Sequence, residues 1–510
     1  MMFTISVRNI LVFLSLLLTC GPRVTVSTRA VDDTSSETPF QDDRVPSWEE
    51  LDARPLPKWY DDAKFGIFIH WGLFSVPSFG SEWFLYYWKN NYTDYSEFIR
   101  RTERPNFSYA DYAERFTADL YKPKEWVKLF VESGAQYVVL TSKHHDGFCN
   151  WNTSKSVPTA YQWNSLDVGP RRDLVGELAT ALQNVTSPYT SKPLQLGLYH
   201  SLLEWFNPLY LRDRENNYQT NDFVRMKIQL ELVDLVQRYH PVLLWSDGHW
   251  MDHSDYWQSR QFLHWYAYQS PVASQGVVWN DRWGNDTQCR HGTYWNCEDK
   301  YDPKTQVFHK WENALSIDTV SWGYNRNTTY EQYLTTRELI HTLGRVVALG
   351  GNLLLNIGPA ADGTIHPIFA DRLLGIGRWL QVNGDAIYAT QPWKYTNETG
   401  VANANPTIYY STKNQSVYCI FQKWPANSLL ELEHPIPTAR TAVRFLGLQS
   451  DPNNRLPFQP LDTPAAGSGG IAVTLPQLTP NLLPSQHACV LELTHLANAN
   501  TNNEEVTRSF

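Results

Sequence analysis

The stretch VLLWSD at residues 242–247 decides the fold, because a nearly continuous apolar run ends there in an aspartate and Gly248 follows. Such a run, apolar on both faces, is typical of a strand buried in a parallel sheet that helices cover. Five further runs follow the same design, and each ends in a polar or ionisable residue. They are FGIFIH (65–70), YVVLTSK (137–143), LQLGLYH (194–200), VVWND (277–281) and NLLLN (352–356).

Helical patterns separate these runs. Between residues 221 and 239, apolar side chains recur at steps of three or four from Phe223 to Val236, and Pro241 ends the helix. This alternation predicts an α/β fold, a (β/α)8 TIM-like barrel with its active site at the C-terminal ends of the strands. A doubly wound open sheet would alternate in the same way, but no GxGxxG opens the first unit.

The 510 residues suffice for a large barrel and a smaller module. We predict a signal peptide at residues 1–28, a flexible leader at 29–47, a catalytic barrel at 48–392, a C-terminal β-sandwich at 393–497 and a disordered tail at 498–510. The sandwich is predicted because short strands separated by turn residues replace the barrel pattern beyond Trp393. The predicted strands span 407–412, 416–424, 429–433, 442–448, 471–475 and 488–494.

The apolar run LVFLSLLL (11–18) follows Arg8 near the N-terminus. It is too short to span a bilayer but has the length of a signal-peptide core, so we expect a secretory route to lysosomes or the extracellular space. After cleavage we expect no membrane association. Asn-X-Ser/Thr sequons are candidate glycan sites on that route. They lie at Asn91, Asn106, Asn152, Asn184, Asn285, Asn327, Asn397 and Asn414.

Six cysteines occur, and one falls in the predicted signal peptide. The remaining odd number leaves at least one thiol unpaired within the chain. Cys289 and Cys297 are close in sequence and are the best disulfide candidates. Cys419 and Cys489 lie in predicted strands and could pair, whereas Cys149 is the expected free thiol. No CxxC or HExxH spacing indicates zinc.

Charge and composition bear on the class of partner. The formal net charge is −9 and no block of Lys or Arg is present, so we expect no nucleic-acid partner. Aromatic residues make up 14% and include 21 Trp. A Trp ring offers the flat apolar face against which the C–H face of a sugar packs, so this composition favours a carbohydrate.

Asp247 is the strongest candidate for a catalytic residue. It ends its apolar run, and Gly248 would let the chain turn sharply and leave the carboxylate at the barrel mouth. The alternative is an aspartate that only caps or pairs within the loop. Further polar residues at other strand ends favour the catalytic interpretation.

Four histidines, His70, His144, His145 and His200, would converge on the same mouth. Imidazoles buried there indicate a polar pocket for either a divalent ion or a sugar. In an extended chain the adjacent pair 144–145 would point to opposite sides, which argues against one shared ion. The nearby tryptophans favour a sugar. They are Trp71, Trp83, Trp205, Trp245 and Trp283.

A retaining glycosidase needs two carboxylates about 5 Å apart, one as nucleophile and one as acid and then base. With Asp247 as nucleophile, Asp299 and Glu312 are the two candidates for the second, and Glu298 is a further alternative. A lysine two residues before Glu312 would favour its charged form, whereas a disulfide just before Asp299 could fix its loop. We therefore favour Asp299.

Eight motifs together resemble the α-L-fucosidases of glycoside hydrolase family 29, over nearly the whole chain from Trp48 onward. They are KFGIFIHWGLFSVP (64–77), SEWF (81–84), SKHHDGF (142–148), GLYHSLLEWF (197–206), LLWSDG (243–248), NDRWG (280–284), KWE (310–312) and GGNLLLNIGP (350–359). The resemblance implies a TIM-like barrel with a β-sandwich. It also implies retaining hydrolysis of terminal α-L-fucose from fucosylated glycans and glycoproteins, through a covalent fucosyl-enzyme intermediate.

The resemblance also implies site residues. It makes Asp247 the nucleophile and leaves Asp299 and Glu312 both open, and Ala314 departs from a common form of the KWE motif. No cofactor or metal is implied. The groups placed around the sugar are His70, Glu82, Trp83, His144, His145, His200 and Arg282, with Trp205 and Trp283 among the packing rings.

The alternatives are a fucose-binding protein without catalysis and a metal-dependent hydrolase. The sequence does not decide the linkage preference or whether the chain forms a homo-oligomer.

Overall fold

The computed structural model of the chain describes residues 44–154, 156–158, 161–398, 407–448, 455–461 and 469–499. The predicted signal peptide lies outside these ranges, as do residues 29–43 of the predicted leader and 500–510 of the predicted tail. No helix in the described ranges is long and apolar enough to cross a membrane.

Seven parallel strands form the N-terminal sheet, in the spatial order β5-β4-β3-β2-β1-β7-β6. They are β1 (Phe65–Ile69), β2 (Tyr137–Lys143), β3 (Gln195–Ser201), β4 (Leu243–Asp247), β5 (Val278–Trp279), β6 (Trp311–Ser316) and β7 (Gly351–Ile357). All six predicted apolar runs form strands. Strand β6 was not among them, because Glu312 and Asn313 interrupt its apolar character.

The eighth position of the predicted barrel is not a full strand. A short segment, residues 293–296, lies there between β5 and β6. The N–H of Thr293 donates to the Trp279 carbonyl at 3.0 Å, and the N–H of Glu312 donates to the Trp295 carbonyl at 2.9 Å. The α/β TIM-like fold is therefore confirmed, with seven strands and this bridging segment in place of eight strands.

Helices follow the strands around the sheet. They are α1 (Trp48–Asp52), α2 (Lys58–Ala63), α3 (Phe84–Lys89), α4 (Thr93–Thr102), α5 (Pro123–Ser133), α6 (Leu174–Leu182), α7 (Pro208–Glu215), α8 (Gln229–Tyr239), α9 (Ser259–Tyr268), α10 (Thr336–Ala348) and α11 (Pro367–Asn383). The predicted helix at 221–239 is divided, because a π-helical turn at Val224–Ile228 precedes α8. A left-handed His240 ends α8 just before Pro241.

Two hydrophobic clusters lie on opposite faces of the parallel sheet. The smaller one joins side chains from all seven strands, among them Phe68, Val139, Tyr199, Trp245 and Leu354. Contacts among so many strands require a curled sheet with these side chains inside it. Alternate residues along each strand therefore point inward, and their neighbours point outward to the helices.

A buried ionic cluster ties the outer face of the sheet to the helices. The Lys143 ammonium donates to Glu204 at 2.8 Å and to Glu231 at 2.6 Å, and the Lys227 ammonium donates to Glu231 at 2.5 Å. None of the four side chains is more than 5% exposed. Burial opposes the charge on Glu231, but the two lysines hold its pKa well below the usual range. The cluster fixes the C-terminal end of β2 against α8.

The C-terminal module consists of two antiparallel sheets around one core, as predicted for a β-sandwich. The five-stranded sheet contains β8 (Gln391–Glu398), β9 (Ile408–Lys413), β10 (Ser416–Phe421), β12 (Ala442–Phe445) and β15 (Cys489–Thr494). The three-stranded sheet contains β11 (Leu429–Leu432), β13 (Phe458–Pro460) and β14 (Ile471–Thr474). Strands β8 and β13 were not predicted, because both are largely polar and contain a proline.

The cysteine predictions have mixed outcomes. The Cys289–Cys297 disulfide is confirmed, with Cα atoms 4.8 Å apart, and Cys149 is a buried free thiol. The suggested pairing of Cys419 with Cys489 is wrong, because both are free. In the β10–β15 register Cys419 lies opposite Leu491, so the two cysteines are diagonal neighbours. That diagonal spans about 7–8 Å, beyond the usual reach of a disulfide.

The substitution Glu231→Leu should lower the free energy of unfolding by about 3–5 kcal/mol, because it leaves two buried ammonium groups with one carboxylate. Glu125 is a control of the same residue type, since its side chain is 68% exposed in a surface pair with Lys122. Glu125→Leu should cost about 0–1 kcal/mol. Urea denaturation of both variants measures the difference. Equal losses would contradict the structural role of the cluster.

Candidate active site

Asp247 is the last residue of β4, at the C-terminal end of the parallel sheet. Gly248 follows with φ +75°, in the left-handed region that favours glycine. A Cβ atom there would lie 2.9 Å from the Leu203 side chain. The turn therefore requires glycine, and it leaves the carboxylate at the barrel mouth.

Three side chains bind the Asp247 carboxylate. The Tyr199 hydroxyl donates to Oδ2 at 2.9 Å, Nη1 of Arg282 donates to Oδ1 at 3.3 Å, and Nε2 of His145 lies 3.5 Å from Oδ2. Burial alone would raise the pKa of Asp247. The hydrogen bond and charge of His145, together with Arg282, outweigh burial and hold that pKa well below its usual range. The group is therefore a carboxylate at neutral and mildly acidic pH.

The same guanidinium also binds a second carboxylate. Nη2 of Arg282 donates to Oδ1 of Asp299 at 2.8 Å, and the guanidinium carbon lies 4.7 Å from the Trp245 ring centroid. Burial opposes the charge on Arg282, but Asp299 and Asp247 raise its pKa. The Asp299 side chain is 58% exposed, against 14% for Asp247. One arginine thus joins a sheltered carboxylate to one that is open to solvent.

Asp281 fixes the loop that carries the second carboxylate. Its side chain is fully buried and accepts hydrogen bonds from the N–H groups of Cys289, Asn296 and Cys297, at 2.8 to 3.0 Å. Asp281 and the two sulfurs form a compact group that could suit a metal ion, but the sulfurs are joined as a disulfide. Because Arg282 is the next residue, one strand end positions both the arginine and the loop. The sequence motif NDRWG contained this aspartate without revealing its role.

Glu312 does not lie at the mouth, although it was the other candidate for the second carboxylate. It is the second residue of β6, which ends at Ser316, so it lies roughly 13 Å along the strand from the C-terminal end. Its exposed fraction is 0%. Its oxygens accept hydrogen bonds from Tyr60, Tyr137, Trp245 and Asn296, at 2.8 to 3.3 Å. These donors enclose Glu312 inside the barrel.

Three of the four predicted histidines do meet at the mouth. The rings of His144 and His145 are 4.2 Å apart, and His70 lies 6.1 Å from His144. The expectation that residues 144 and 145 point to opposite sides was wrong, because β2 ends at Lys143 and a turn closed by Gly147 follows. Burial lowers the pKa values of His70 and His144, so both rings are neutral at neutral pH.

His200 is not in the pocket, which corrects the prediction for this residue. Tyr199 points into the barrel and binds Asp247, so the next side chain along β3 points outward. There Nε2 of His200 lies 3.0 Å from Glu231, within the buried ionic cluster. Burial and the charge of Lys143 lower the pKa of His200 to about 4. Tyr199 thus takes the place expected for His200. The only sequence feature that pointed to Tyr199 was its position directly before a histidine at a strand end.

An aromatic wall and one acid complete the mouth. The Trp83 ring lies 5.5 Å from His145 and 5.1 Å from Trp205, which itself lies 5.2 Å from His145. Glu82 is buried, and its Oε2 accepts from the backbone N–H of Trp322 at 3.0 Å. The structure thus brings the predicted residues 82, 83 and 205 to the mouth.

Trp283 lies elsewhere. Its ring is buried in the hydrophobic core and stacks on Phe262 at 5.7 Å. Both residues lie beyond the end of β5, where the chain bends, so that Arg282 binds Asp247 at the mouth while the Trp283 ring packs on α9. Trp283 is therefore a core residue, which corrects its prediction as a sugar contact.

Two carboxylates, three imidazoles and an indole wall at the C-terminal end of a TIM-like sheet are typical of a glycoside hydrolase. Comparison with known proteins identifies the family. The α-L-fucosidase profile matches residues 33–385, and the profile of the α-L-fucosidase C-terminal domain matches residues 402–494. The chain belongs to the α-L-fucosidase family.

Similar proteins support this membership. The tissue α-L-fucosidase of Homo sapiens is 48% identical over 451 residues, which cover 88% of this chain and 91% of that protein. The plasma α-L-fucosidase of Homo sapiens is 45% identical over 455 residues, covering 88% and 92%. The crystal structure of Thermotoga maritima α-fucosidase in complex with fucose aligns with a TM-score of 0.71 at 32% identity, covering 88% of this chain and 99% of that one.

Asp146, next to His145, gives a prediction for pH. Burial raises its pKa to about 6, although it accepts from the Tyr109 hydroxyl and the Phe148 N–H. A carboxyl group with a raised folded-state pKa contributes stability below its unfolded pKa of about 3.9 and loses it as pH rises through about 6. Asp146→Asn mimics the neutral form. The melting temperature of the variant minus that of the original chain should therefore be higher at pH 7 than at pH 4.

The exposed Asp119 serves as the control for this measurement. Asp119→Asn should keep a constant melting-temperature difference between the two pH values. If Asp146→Asn behaves in the same way, the raised pKa is wrong.

Proposed function

We propose that this chain hydrolyses terminal α-L-fucose from glycoconjugates with retention of configuration, through a covalent fucosyl intermediate on Asp247. The observation that carries the proposal is the shared arginine. Arg282 binds a sheltered carboxylate and an exposed one on adjoining elements of the mouth. A retaining glycosidase needs such a pair, with one group permanently ionised and the other able to exchange protons.

In the first step the Asp247 carboxylate attacks the anomeric carbon and the glycosidic C–O bond breaks. Asp299 donates a proton to the departing oxygen, so the aglycone leaves as an alcohol. In the second step the Asp299 carboxylate takes a proton from water as the water oxygen attacks the anomeric carbon and displaces Asp247. Two inversions give net retention. The 58% exposure of Asp299 supports this double role.

The polar groups at the mouth would hold the sugar. We assign hydrogen bonds to the fucose hydroxyls to His70, Glu82, His144, His145 and Arg282. Trp83 and Trp205 would pack against the apolar face of the sugar. The neutral form of His70 and His144 suits this role, because a neutral imidazole can both donate and accept.

We also propose a secretory route, with cleavage of the predicted signal peptide. The apolar run at 11–18 supports it, and the relatives named above are tissue and plasma enzymes. Six of the eight sequon asparagines are exposed, and Asn152 and Asn397 are half-buried. These asparagines are candidate glycan sites on either a lysosomal or an extracellular protein.

Asp247→Ala should lower kcat/KM for an aryl α-L-fucoside by about 10³-fold or more, because the covalent step is lost. Circular dichroism should show an unchanged fold, and isothermal titration should show retained fucose binding. Asp255→Ala is the control, because that side chain is 75% exposed in a surface pair. An original chain that binds fucose without turnover would instead support the non-catalytic alternative.

Leaving-group dependence separates the two candidates for the acid. Asp299→Ala should lose about 10²–10⁴-fold in kcat/KM on fucosides with poor leaving groups and far less on a dinitrophenyl fucoside, which needs no protonation. Any loss in Glu312→Gln should be similar for both substrates, because that residue only supports the barrel interior. The reverse pattern would make Glu312 the acid.

A further inference from the structure

Trp250 is an exposed aromatic residue beside the mouth that the proposed fucose pocket does not use. It lies three residues after Asp247, and 38% of its surface is exposed. Single exposed apolar side chains are common on protein surfaces, but this indole joins the aromatic rings of the mouth, which suggests a contact surface.

The position of Trp250 relative to the mouth is well defined. Its ring lies 5.4 Å from His145 at an interplanar angle of 80°, and 6.1 Å from Trp83 at 18°. His145 in turn contacts Asp247. Trp250 is therefore one side chain removed from the carboxylate that we assign as the nucleophile.

Three indoles surround His145, and their exposure increases toward solvent. Trp205 is 7% exposed, Trp83 is half-buried and Trp250 is 38% exposed. Trp83 and Trp250 are nearly parallel, and the exposed 38% of Trp250 lies on the parts of that side chain that Trp83 and His145 do not cover. Trp83 and Trp250 are therefore two adjacent aromatic rings, and Trp250 is the one nearer to solvent.

The loop that carries Trp250 is anchored on both sides. Before it, the carbonyl of the buried His249 accepts from the Trp257 indole at 3.2 Å. After it, the carbonyl of Asp252 accepts from the Asn285 N–H at 3.0 Å. The backbone on both sides of Trp250 is thus held in place before any substrate arrives, which reduces the entropic cost of using this loop as a contact surface.

We propose that Trp250 is the platform for the sugar to which fucose is attached. The ligand class is an uncharged hexopyranose with one apolar C–H face. That face would stack on the exposed part of the Trp250 ring while fucose lies deeper in the pocket, beside Trp83. This inference rests on the proposed function, because it places the departing sugar relative to Asp247. It makes Trp250 a determinant of aglycone specificity.

The test compares two substrates of the full-length chain and its variants. α-L-Fucosyl fluoride carries no aglycone sugar, whereas α-L-fucosyl-(1→2)-galactose carries one. In Trp250→Ala the ratio of kcat/KM for the disaccharide to kcat/KM for the fluoride should fall about tenfold, the scale of one lost aromatic contact. Trp250→Phe, which keeps a ring, should retain most of the ratio.

Tyr330→Ala is the control, because that side chain is 68% exposed and contacts Arg372. It should leave the ratio unchanged. An unchanged ratio in Trp250→Ala would overturn the proposal, including the case in which both substrates slow equally and Trp250 belongs to the fucose pocket. Failure of the proposed function is distinguishable, because the unaltered chain would then hydrolyse neither substrate.

Discussion

The contact of one buried guanidinium with two carboxylates is the constraint on which the site depends. Arg282 and His145 offset the cost of burying the charge on Asp247, and Tyr199 supplies a further hydrogen bond. Trp245 lies under the guanidinium, and the indole N–H of that residue donates to Glu312. The barrel interior therefore supports the arginine from below, while its two carboxylates face the mouth.

Much of the fold could be predicted from the sequence, because buried parallel strands are continuous apolar runs and six of the seven had this pattern. Strand β6 was missed since Glu312 sits inside it, satisfied by four donors from distant segments. The incomplete eighth position was also beyond prediction. Residues 293–296 are held there by hydrogen bonds to β5 and β6, and their own sequence shows no strand pattern.

The sequence predicted which strand ends carry the site, but it did not predict which way each side chain points. Asp247, His70, His144 and His145 follow directly from their positions after apolar runs. His200 was placed wrongly because a shift of one residue along a strand moves a side chain to the opposite face. Trp283 was placed wrongly because it lies in a bend beyond the end of β5, where its ring turns to α9. The disulfide expected beside Asp299 favoured that residue over Glu312, but only the structure shows that Asp299 lies on the disulfide-closed loop at the mouth and Glu312 inside the barrel.

The most direct test of the account is to trap the covalent intermediate. A 2-deoxy-2-fluoro-α-L-fucosyl fluoride should react with the enzyme and then hydrolyse slowly, because the fluorine destabilises the oxocarbenium-like transition states of both steps. Peptide mass spectrometry of the inactivated chain should locate one deoxyfluorofucosyl group on Asp247. A label on any other residue, or inactivation without a covalent label, would contradict the assignment of Asp247 as the nucleophile.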